Sequence, residues 1–463
     1  MTRPALAKAL SGLLSLEGLT CIFLVLVGVL GGASRRNAIP SLVIELSSLV
    51  VLVMAVRRLD GAAWRSIAIP FVLALAALAV PVLQLVPLPP EVWTALPGRG
   101  PMADHLRLAG LPLGWAPMTM APSETMAGVL FLFVPIAMLL AAAAIEDAGR
   151  RWIAGTFVGV ALASLGLGLI QLGQDPHSPL YFYSNANFGK AVGFFANRNH
   201  QATMMLCAVP MAMALALAAQ RPTRVEARLF LGALVVFVLL AGLIAVQSRA
   251  GMLLAPAAVL GAIAVVMREP SLRMRRLHVV VVMALVAAAA VGTAAVVRGD
   301  LFDRFTEPLQ EESRLTSAPF EVIAGRTYMP VGAGLGTFAD AFKTVEPLEL
   351  LEPTFLNNAH NDYMEIWIET GVVGPILVVL FLAWFLVRTV AVWRSSDERG
   401  ATLARGASVV VVLILAHSTL DYPLRTPAMA TVFAFACALL APSPLRRRGA
   451  RSRSKAPRPV PDI

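Results

Sequence analysis

The sequence predicts an all-α polytopic membrane protein with about 12 transmembrane helices. Of its 463 residues, 58% are hydrophobic and only 14% are charged, and the mean hydropathy is +0.74. A soluble protein carries roughly 25% charged residues, so this composition excludes soluble-domain functions. The apolar residues gather in about twelve runs near 20 residues each, which is the length of a helix that crosses a bilayer.

The spans are placed by the ends of these apolar runs. The first run follows Arg3 and Lys8, as a signal peptide would, but it is longer than a signal-peptide core. Because Arg35 and Arg36 also follow it, we assign it as a span. In chain order the predicted spans are 12–32, 39–56, 67–86, 126–145, 153–172, 200–219, 229–247, 250–267, 277–297, 371–392, 406–420 and 424–441.

The distribution of basic residues predicts the orientation of these spans. Most of the 38 Lys and Arg residues fall in segments that are cytoplasmic if the N-terminus is cytoplasmic. Nine spans then lie within 1–297, with an outer loop at 87–125, and three more lie within 371–441. The longest outer loop is 298–370, and the tail 442–463 is cytoplasmic. The net charge of +10 owes much to this tail, a composition typical of membrane anchoring, so we predict no nucleic-acid partner.

The most polar segment of the chain, 357–371, lies directly before the tenth predicted span. It holds one histidine, three carboxylates and three side-chain amides. Lipid does not accommodate such groups, so they face water, protein or a ligand. We expect His360 to lie just before a helix or in its first turn, with Asn361 bracing Glu365. One face of that helix should carry the three carboxylates, Asp362, Glu365 and Glu369. A solvated amphipathic helix is the alternative interpretation.

Three further polar motifs, 194–201, 247–251 and 417–425, lie at the ends of predicted spans. With the polar segment before span ten, they fall at the N-terminal ends of spans six, eight, ten and twelve, which all face outside. A helix N-terminus presents free N–H groups and the positive end of the helix dipole. Four such ends predict an outward-facing receptor for a phosphate-bearing anion, with three arginines beside them: Arg198, Arg249 and Arg425.

Each of these motifs also has a purely structural interpretation. Asn197 and Asn199 are suited to capping the sixth span. Arg249 is long enough to extend toward the membrane surface. Asp421 and Arg425 carry opposite charges and are suited to pairing with each other.

Two sequence features bear on cofactors. The segment 330–338 contains glycines, as phosphate-binding loops do, but no strand–helix context surrounds it, so it predicts a tight turn. The chain contains no Asp-x-Asp pair of the kind that holds a divalent metal in many sugar transferases. We therefore predict no metal and no other cofactor. The carboxylates that follow His360 are the alternative metal ligands.

In chain order, the motifs are 193–200, 248–250, Arg314, 332–338, 360–363, 369–371 and 417–425. As an ordered set they resemble the O-antigen ligase and O-antigen polymerase superfamily of bacterial polysaccharide enzymes. The resemblance covers most of the chain from Pro87 onward. The set is specific, although no single motif is.

This resemblance implies a metal-independent, inverting glycosyltransferase of the integral-membrane GT-C type, whose long periplasmic loop carries the catalytic motif. It implies the bacterial inner membrane, with both termini cytoplasmic and the active site periplasmic. The donor would be a glycan on undecaprenyl pyrophosphate. The acceptor would be a sugar hydroxyl, on lipid A-core for a ligase or on another lipid-linked glycan for a polymerase, and membrane lipids would surround both.

The resemblance also implies roles for individual residues. His360 matches the proposed base, and Arg249 and Arg314 match the arginines that hold the pyrophosphate. The residue types suit these roles, because imidazole takes up a proton near neutral pH and guanidinium grips phosphate through a planar fork. The remaining candidates for substrate binding come from the same motifs: Arg198, Asn197, Asn199, Asn361, Asp362, Asp421 and Arg425.

Two alternatives from other functional classes remain. Twelve spans with both ends inside is also the plan of secondary transporters, but these place ionisable residues near the bilayer midplane, often in repeated halves. The predicted spans here are nearly free of charge and no halves repeat. A non-catalytic glycan-binding subunit fits the topology but leaves His360 unexplained. His200 and His417 compete with His360 for the role of base.

Overall fold

The computed structural model describes residues 12–34, 37–218, 225–268, 311–348, 356–395 and 398–441. This part of the chain is nearly all helical, which confirms the predicted fold class. The strands within it are a two-residue antiparallel pair, β1 (Pro87–Leu88) and β2 (Ala116–Pro117).

Sixteen α-helices occur in the described residues. They are α1 Leu16–Leu30, α2 Ala38–Arg58, α3 Gly61–Gln84, α4 Pro90–Trp93, α5 Gly100–Leu108, α6 Pro122–Ala144, α7 Asp147–Gln171, α8 Arg198–Ala218, α9 Val225–Val246, α10 Arg249–Met267, α11 Glu311–Thr327, α12 Phe338–Lys343, α13 Asp362–Thr370, α14 Val373–Arg394, α15 Glu398–His417 and α16 Pro427–Leu440. A 3₁₀ turn, Pro423–Arg425, lies between α15 and α16.

Nine helices of the described chain are long and apolar enough to cross a membrane, namely α2, α3, α6 to α10, α14 and α15. Helices α1 and α16 are apolar but shorter. The chain is therefore a multi-pass membrane protein. Every predicted span except the ninth overlaps one of these eleven helices. The ninth predicted span, 277–297, and the tail 442–463 lie outside the described residues, and the orientation of the bundle stays a prediction.

Some predicted span ends were wrong, because apolar length alone does not locate a helix start. The third span was placed at 67–86, but α3 begins at Gly61. Asp60 caps this helix by accepting hydrogen bonds from the amides of Ala62 at 3.0 Å and Ala63 at 2.8 Å. This polar cap lets the helix begin six residues before the apolar run.

Helix α8 lies at the centre of the bundle and packs against α7, α9, α10 and α15. Most of its side chains are buried, among them the small residues Ala202, Ala208 and Ala212. Small side chains allow neighbouring helices to approach closely inside a membrane. By contrast, Val379 and Leu386 of α14 are exposed, as expected for a lipid-facing helix. The N-terminus of α8 is thus surrounded by the ends of its neighbours.

A second, smaller core lies beside the helical bundle. It is formed by buried side chains of α11, α12 and α13, including Ala324, Phe338, Phe342 and Ile368, together with Tyr328, which directly follows α11. The predicted outer loop 298–370 is therefore a folded, largely helical layer in its described parts. Residues 298–310 and 349–355 of that loop lie outside them.

The glycine-rich segment 330–338 leads from α11 into α12 and contacts the end of α13. Gly332, Gly334 and Gly336 have φ angles of 83°, 120° and 82°, a region that side chains other than glycine rarely adopt. The amide of Gly334 donates a hydrogen bond to the carbonyl of Glu369 at 2.9 Å. The Gln84 side chain, at the end of α3, donates to the same carbonyl at 2.9 Å. The segment is thus a tight turn, as predicted, which brings helix ends together.

Candidate active site

Asp421 is the centre of a buried polar cluster. Its carboxylate has no exposed surface and lies between α15 and the 3₁₀ turn. One oxygen, Oδ1, is 3.1 Å from Nδ1 of His360 and accepts the amide N–H of Tyr422 at 3.0 Å. The other, Oδ2, accepts side-chain N–H groups of Asn199 at 2.6 Å and Asn197 at 3.2 Å. Four candidates from three distant parts of the chain therefore meet here.

The charge of Asp421 determines which ring nitrogen of the neutral His360 carries the hydrogen. Burial alone would raise the pKa of Asp421, but the hydrogen bond from His360 and the neighbouring imidazoles of His200, His360 and His417 bring it below its usual range. The ionised carboxylate has no proton to donate, so Nδ1 of His360 carries the shared hydrogen. In the neutral imidazole, Nε2 is then the basic nitrogen.

The backbone places His360 just before a helix, as predicted. His360 has a φ of 51° and Asn361 is the N-cap of α13. The Asn361 side-chain oxygen accepts the amides of Tyr363 at 3.0 Å and Met364 at 3.1 Å. The predicted contact between Asn361 and Glu365 is wrong, because this capping role occupies Asn361. Glu365 instead accepts the amide of Ala359 at 2.8 Å.

The two competing histidines belong to the same cluster but are more enclosed. His200 is 1% exposed, with Nε2 3.9 Å from Oδ1 of Asp421. His417 is fully buried, and its Nδ1 is hydrogen bonded to Thr203. The His360 side chain is 20% exposed. Among these three histidines, His360 is the one that a substrate can reach most easily.

Ser248 and Tyr422 were not predicted as site residues, yet both contact the cluster. Ser248 caps α10 by accepting the amide of Gly251 at 3.0 Å, and its hydroxyl donates to Oδ1 of Asn199 at 2.8 Å. The ring of Tyr422 is 4.9 Å from that of His360 and 5.0 Å from that of His200. Both residues lie inside the quoted motifs, next to Arg249 and Asp421, but their residue types alone indicated no chemistry.

Two of the predicted arginines, Arg249 and Arg198, lie next to residues of the cluster because of the helices that carry them. Arg249 begins α10 directly after Ser248, and Arg198 begins α8 between Asn197 and Asn199. The predicted meeting of helix N-termini is therefore present for α8 and α10. Arg314 lies in the first turn of α11, and its side chain falls outside the described part of the structure.

Arg425 forms a second cluster with the three carboxylates of α13. Its Nη2 lies 2.7 Å from Oε2 of Glu369 and 3.2 Å from Oε2 of Glu365, and its Nε lies 3.8 Å from Oδ1 of Asp362. The predicted shared face of these carboxylates is confirmed. The alternative pairing of Arg425 with Asp421 is wrong, because each residue contacts a different element.

One guanidinium thus faces three buried carboxylates. Burial raises the pKa of Asp362 to about 7 and that of Glu365 to about 8, although Arg425 acts in the opposite direction on both. Burial by itself would lower the pKa of Arg425, but Glu369 and Glu365 raise it above its usual range. A phosphate placed at Arg425 would meet these acids, so the geometry favours a structural brace over phosphate binding.

The brace fixes the relative position of His360 and Asp421. Asp362 accepts the Ser418 hydroxyl at 2.7 Å, and its own amide donates to the Ser418 carbonyl at 3.0 Å. The segment that carries His360 and α13 is thereby attached to the segment that carries Asp421 and Arg425. Rigid support of this kind keeps the hydrogen bond between His360 and Asp421 in place.

A cavity of about 610 Å³ opens beside the brace. Asp362, Glu365, Glu369 and Arg425 line one end of it, whereas apolar side chains of α2 and α6 line the other. In the described residues, no group of three or more His, Cys, Asp or Glu side chains is arranged to hold a metal ion.

Protonation of the brace leads to a prediction about stability. Because the folded state raises the pKa of Glu365, it binds this proton more tightly than the unfolded chain does. The stabilisation is present at low pH and is lost as the pH rises through about 8. Between about pH 6 and about pH 9, the melting temperature of the wild type should fall by several degrees more than that of Glu365→Gln.

The matched control for this measurement is Asp104→Asn. Asp104 is an exposed acid of α5 that pairs with Arg107 at 2.7 Å. The melting temperature of Asp104→Asn should change with pH as that of the wild type does. If the melting temperatures of wild type and Glu365→Gln changed equally with pH, Glu365 would not titrate in this range.

The sequence was also compared with known proteins. The O-antigen ligase family model matches residues 233–379. No curated protein matches the chain. The family match supports the predicted relationship to the O-antigen ligase and polymerase superfamily. The matched stretch contains Arg249, Arg314, His360 and α13, whereas Asp421 and Arg425 lie beyond it.

Proposed function

We propose that this chain, a relative of the O-antigen ligase and polymerase superfamily, is a metal-independent inverting glycosyltransferase. It transfers a glycan from undecaprenyl pyrophosphate to a sugar hydroxyl of lipid A-core at the periplasmic face of the inner membrane. The observation that carries this proposal is the 3.1 Å contact between Nδ1 of His360 and the ionised carboxylate of Asp421. This pair has the composition of a general base with its orienting acid.

The proposed reaction is a single displacement. The acceptor hydroxyl oxygen attacks the anomeric carbon of the donor glycan while Nε2 of His360 takes the hydroxyl proton. The bond between the anomeric carbon and the pyrophosphate oxygen breaks, and its electron pair leaves with undecaprenyl pyrophosphate. Asp421 stabilises the imidazolium that forms, as the acid does in other histidine–carboxylate pairs. Attack opposite to the leaving group inverts the anomeric centre.

Fixed positive charge supports departure of the pyrophosphate in this proposal. Arg249 and Arg198 begin helices whose N-termini meet at the Asp421 cluster. These arginines, the helix dipoles and Arg314 would bind the leaving group. Preorganised charge in a water-poor site contributes several kcal/mol to such a step, which is what a metal does in other sugar transferases.

This arrangement predicts the effects of chelators and of Arg249 variants. Purified enzyme should keep its full rate in EDTA. Arg249→Lys keeps the charge but loses the planar fork, so transfer should fall about tenfold, and Arg249→Ala should lower it about 100-fold. Arg107→Ala, at an exposed position of α5, is the matched control and should leave the rate unchanged. Loss of activity in EDTA, restored by magnesium or manganese, would instead make Asp362, Glu365 and Glu369 metal ligands.

The second candidate function is a polymerase of the same superfamily, which needs the same donor site and base. The glycan ladder of a strain that lacks this protein separates the two. For a ligase we expect loss of all long glycan on lipid A-core, with lipid-linked chains accumulating. Accumulation of single repeat units would identify a polymerase, and an unchanged ladder would contradict both.

A secondary transporter is the less favoured alternative. Transporter sites lie near the bilayer midplane between broken helices. The Asp421 cluster lies at the N-terminal ends of α8 and α10 and in the connection before α16. This location suits chemistry at the membrane surface better than transport through the bundle.

A further inference from the structure

The connection between α3 and α6, residues 85–121, exposes three large apolar side chains after its helix α5. Leu108 is 85% exposed, Leu111 is 53% exposed and Trp115 is 70% exposed. Single exposed apolar residues are normal on a protein surface, whereas a group of them marks contact with a membrane or with another protein. We call Leu108, Leu111 and Trp115 the apolar tip of this connection.

The apolar tip belongs to a folded part of the connection. The amide of Leu111 donates to the carbonyl of Leu106 at 2.9 Å, which closes the turn directly after α5. The buried indole of Trp93 donates to the carbonyl of Gly114 at 2.9 Å and so fixes the residue before Trp115. The tip is therefore held in place, yet its side chains do not enter the core of the connection.

The strand pair places the apolar tip close to the membrane boundary. The apolar part of α3 runs nearly to the end of this helix, and Leu83 and Val86 are exposed there. The bilayer surface is therefore near Val86. Strand β1 begins at the next residue, and its Leu88 pairs with Ala116 of β2, which directly follows Trp115. Since paired Cα atoms are about 5 Å apart and consecutive ones about 4 Å, the Cα atom of Trp115 lies within about 10 Å of that of Leu88.

Continuity of the apolar surface favours lipid over a protein partner. The lipid-facing side of α3 is exposed up to Val86, and Val92 of α4 is exposed on the connection itself. An apolar surface thus continues from a membrane-spanning helix toward the tip. Tryptophan is enriched at the boundary between membrane and water, because its ring is apolar and its N–H reaches polar groups. The two leucines suit the acyl region just below the headgroups.

We propose that the apolar tip inserts into the boundary between headgroups and acyl chains of a phospholipid bilayer. The connection between α3 and α6 then lies on the membrane surface. The inference goes beyond the proposed function and does not rest on it. It also bears on the site, because the buried Arg99, which directly precedes α5, donates to the carbonyls of Gly332 at 3.1 Å and Ala333 at 3.3 Å. Anchoring of the connection would therefore support the glycine-rich segment that contacts α13.

Quenching by nitroxide lipids measures which positions lie in the bilayer. One cysteine is introduced by Leu108→Cys, Leu111→Cys or Trp115→Cys and labelled with nitrobenzoxadiazole. The background is Cys21→Ala, since the other two native cysteines are buried. The whole protein is placed, one copy per disc, in phosphatidylcholine nanodiscs with a nitroxide on the acyl chain just below the headgroup. Quenching at each tip position should be at least about threefold greater than at a water-exposed position.

The matched water-exposed position is Gly100 at the start of α5. Gly100 is exposed, a Cβ atom there meets nothing within 4 Å, and it lies about 12 Å along the helix from Leu108. Iodide, a water-soluble quencher, should quench Gly100→Cys at least about threefold more than the tip positions. Nitroxide quenching at the tip that is no greater than at Gly100, with strong iodide quenching, would overturn the proposal in favour of a surface for a protein partner. Protection of the tip from both quenchers would overturn it in favour of a contact within the protein.

A charged variant tests whether the tip itself holds the connection at the membrane. Leu111→Asp places a carboxylate in the tip, so nitroxide quenching of the label in Trp115→Cys should fall about threefold. The melting temperature should stay unchanged, because Leu111 lies outside the packed core. Pro101→Asp adds the same charge in the exposed first turn of α5 and should leave the quenching unchanged. Quenching that is equal in Leu111→Asp and in its parent would contradict the proposal. These measurements need no donor and no turnover, so they are independent of the proposed reaction.

Discussion

Replacement of His360 by alanine is expected to lower glycan transfer by about 10²–10⁴-fold, because the acceptor hydroxyl then has no base to take its proton. The protein should still insert and still bind the lipid-linked donor, since His360 is 20% exposed and contributes little to the packed core. The rate is measured with purified protein in nanodiscs, and donor binding is measured separately.

The variant His360→Gln separates the hydrogen bond of His360 from its role as a base. Glutamine can still donate a hydrogen bond to Asp421, but its amide is not a base near neutral pH, so this variant should be as slow as His360→Ala. His105→Ala removes an exposed histidine of α5 and should retain full activity. Near-normal turnover of the His360 variants, together with inactivity of His200→Ala or His417→Ala, would move the role of base to one of the buried histidines.

Asp421→Asn is expected to lower transfer about 10³-fold while leaving the protein folded. The amide no longer stabilises the imidazolium and permits the wrong tautomer of His360. The loss should fall on kcat rather than on KM, because Asp421 acts on the orientation of the base and not on substrate binding. A merely structural carboxylate would lower the rate only as far as its loss lowers the folded fraction of the protein.

The neighbours of Asp421 provide a second test. In Asp421→Asn the new amide faces the side-chain N–H group of Asn199, so two donors meet. In the double variant Asp421→Asn, Asn199→Asp, the carboxylate at position 199 accepts a hydrogen bond from the new amide at position 421, and an amide still faces His360. Recovery of stability without recovery of the rate supports the orienting role. Recovery of both would show that Asp421 acts only through packing.

The site shows where sequence reasoning is reliable. Local chemistry predicted that His360 precedes a helix and that Asp362, Glu365 and Glu369 share a face, because helical periodicity acts over neighbouring residues. The same local reasoning was wrong for Asn361 and Glu365. Their spacing permits a contact, but unpaired amides at the start of α13 compete for the Asn361 side chain, and capping them is the stronger use.

The sequence by itself determined the membrane class and the approximate spans, and it supplied the candidate residues of the site, because hydrocarbon length and residue type are local properties. Only the tertiary structure decided which charges pair. Asp421 and Arg425 are neighbours in sequence, yet Asp421 binds His360, 61 positions away along the chain, and Arg425 binds the acids of α13. The packing of α8, α10, α13 and α16 sets these distances, and an ion pair forms where geometry and burial leave each charge a partner.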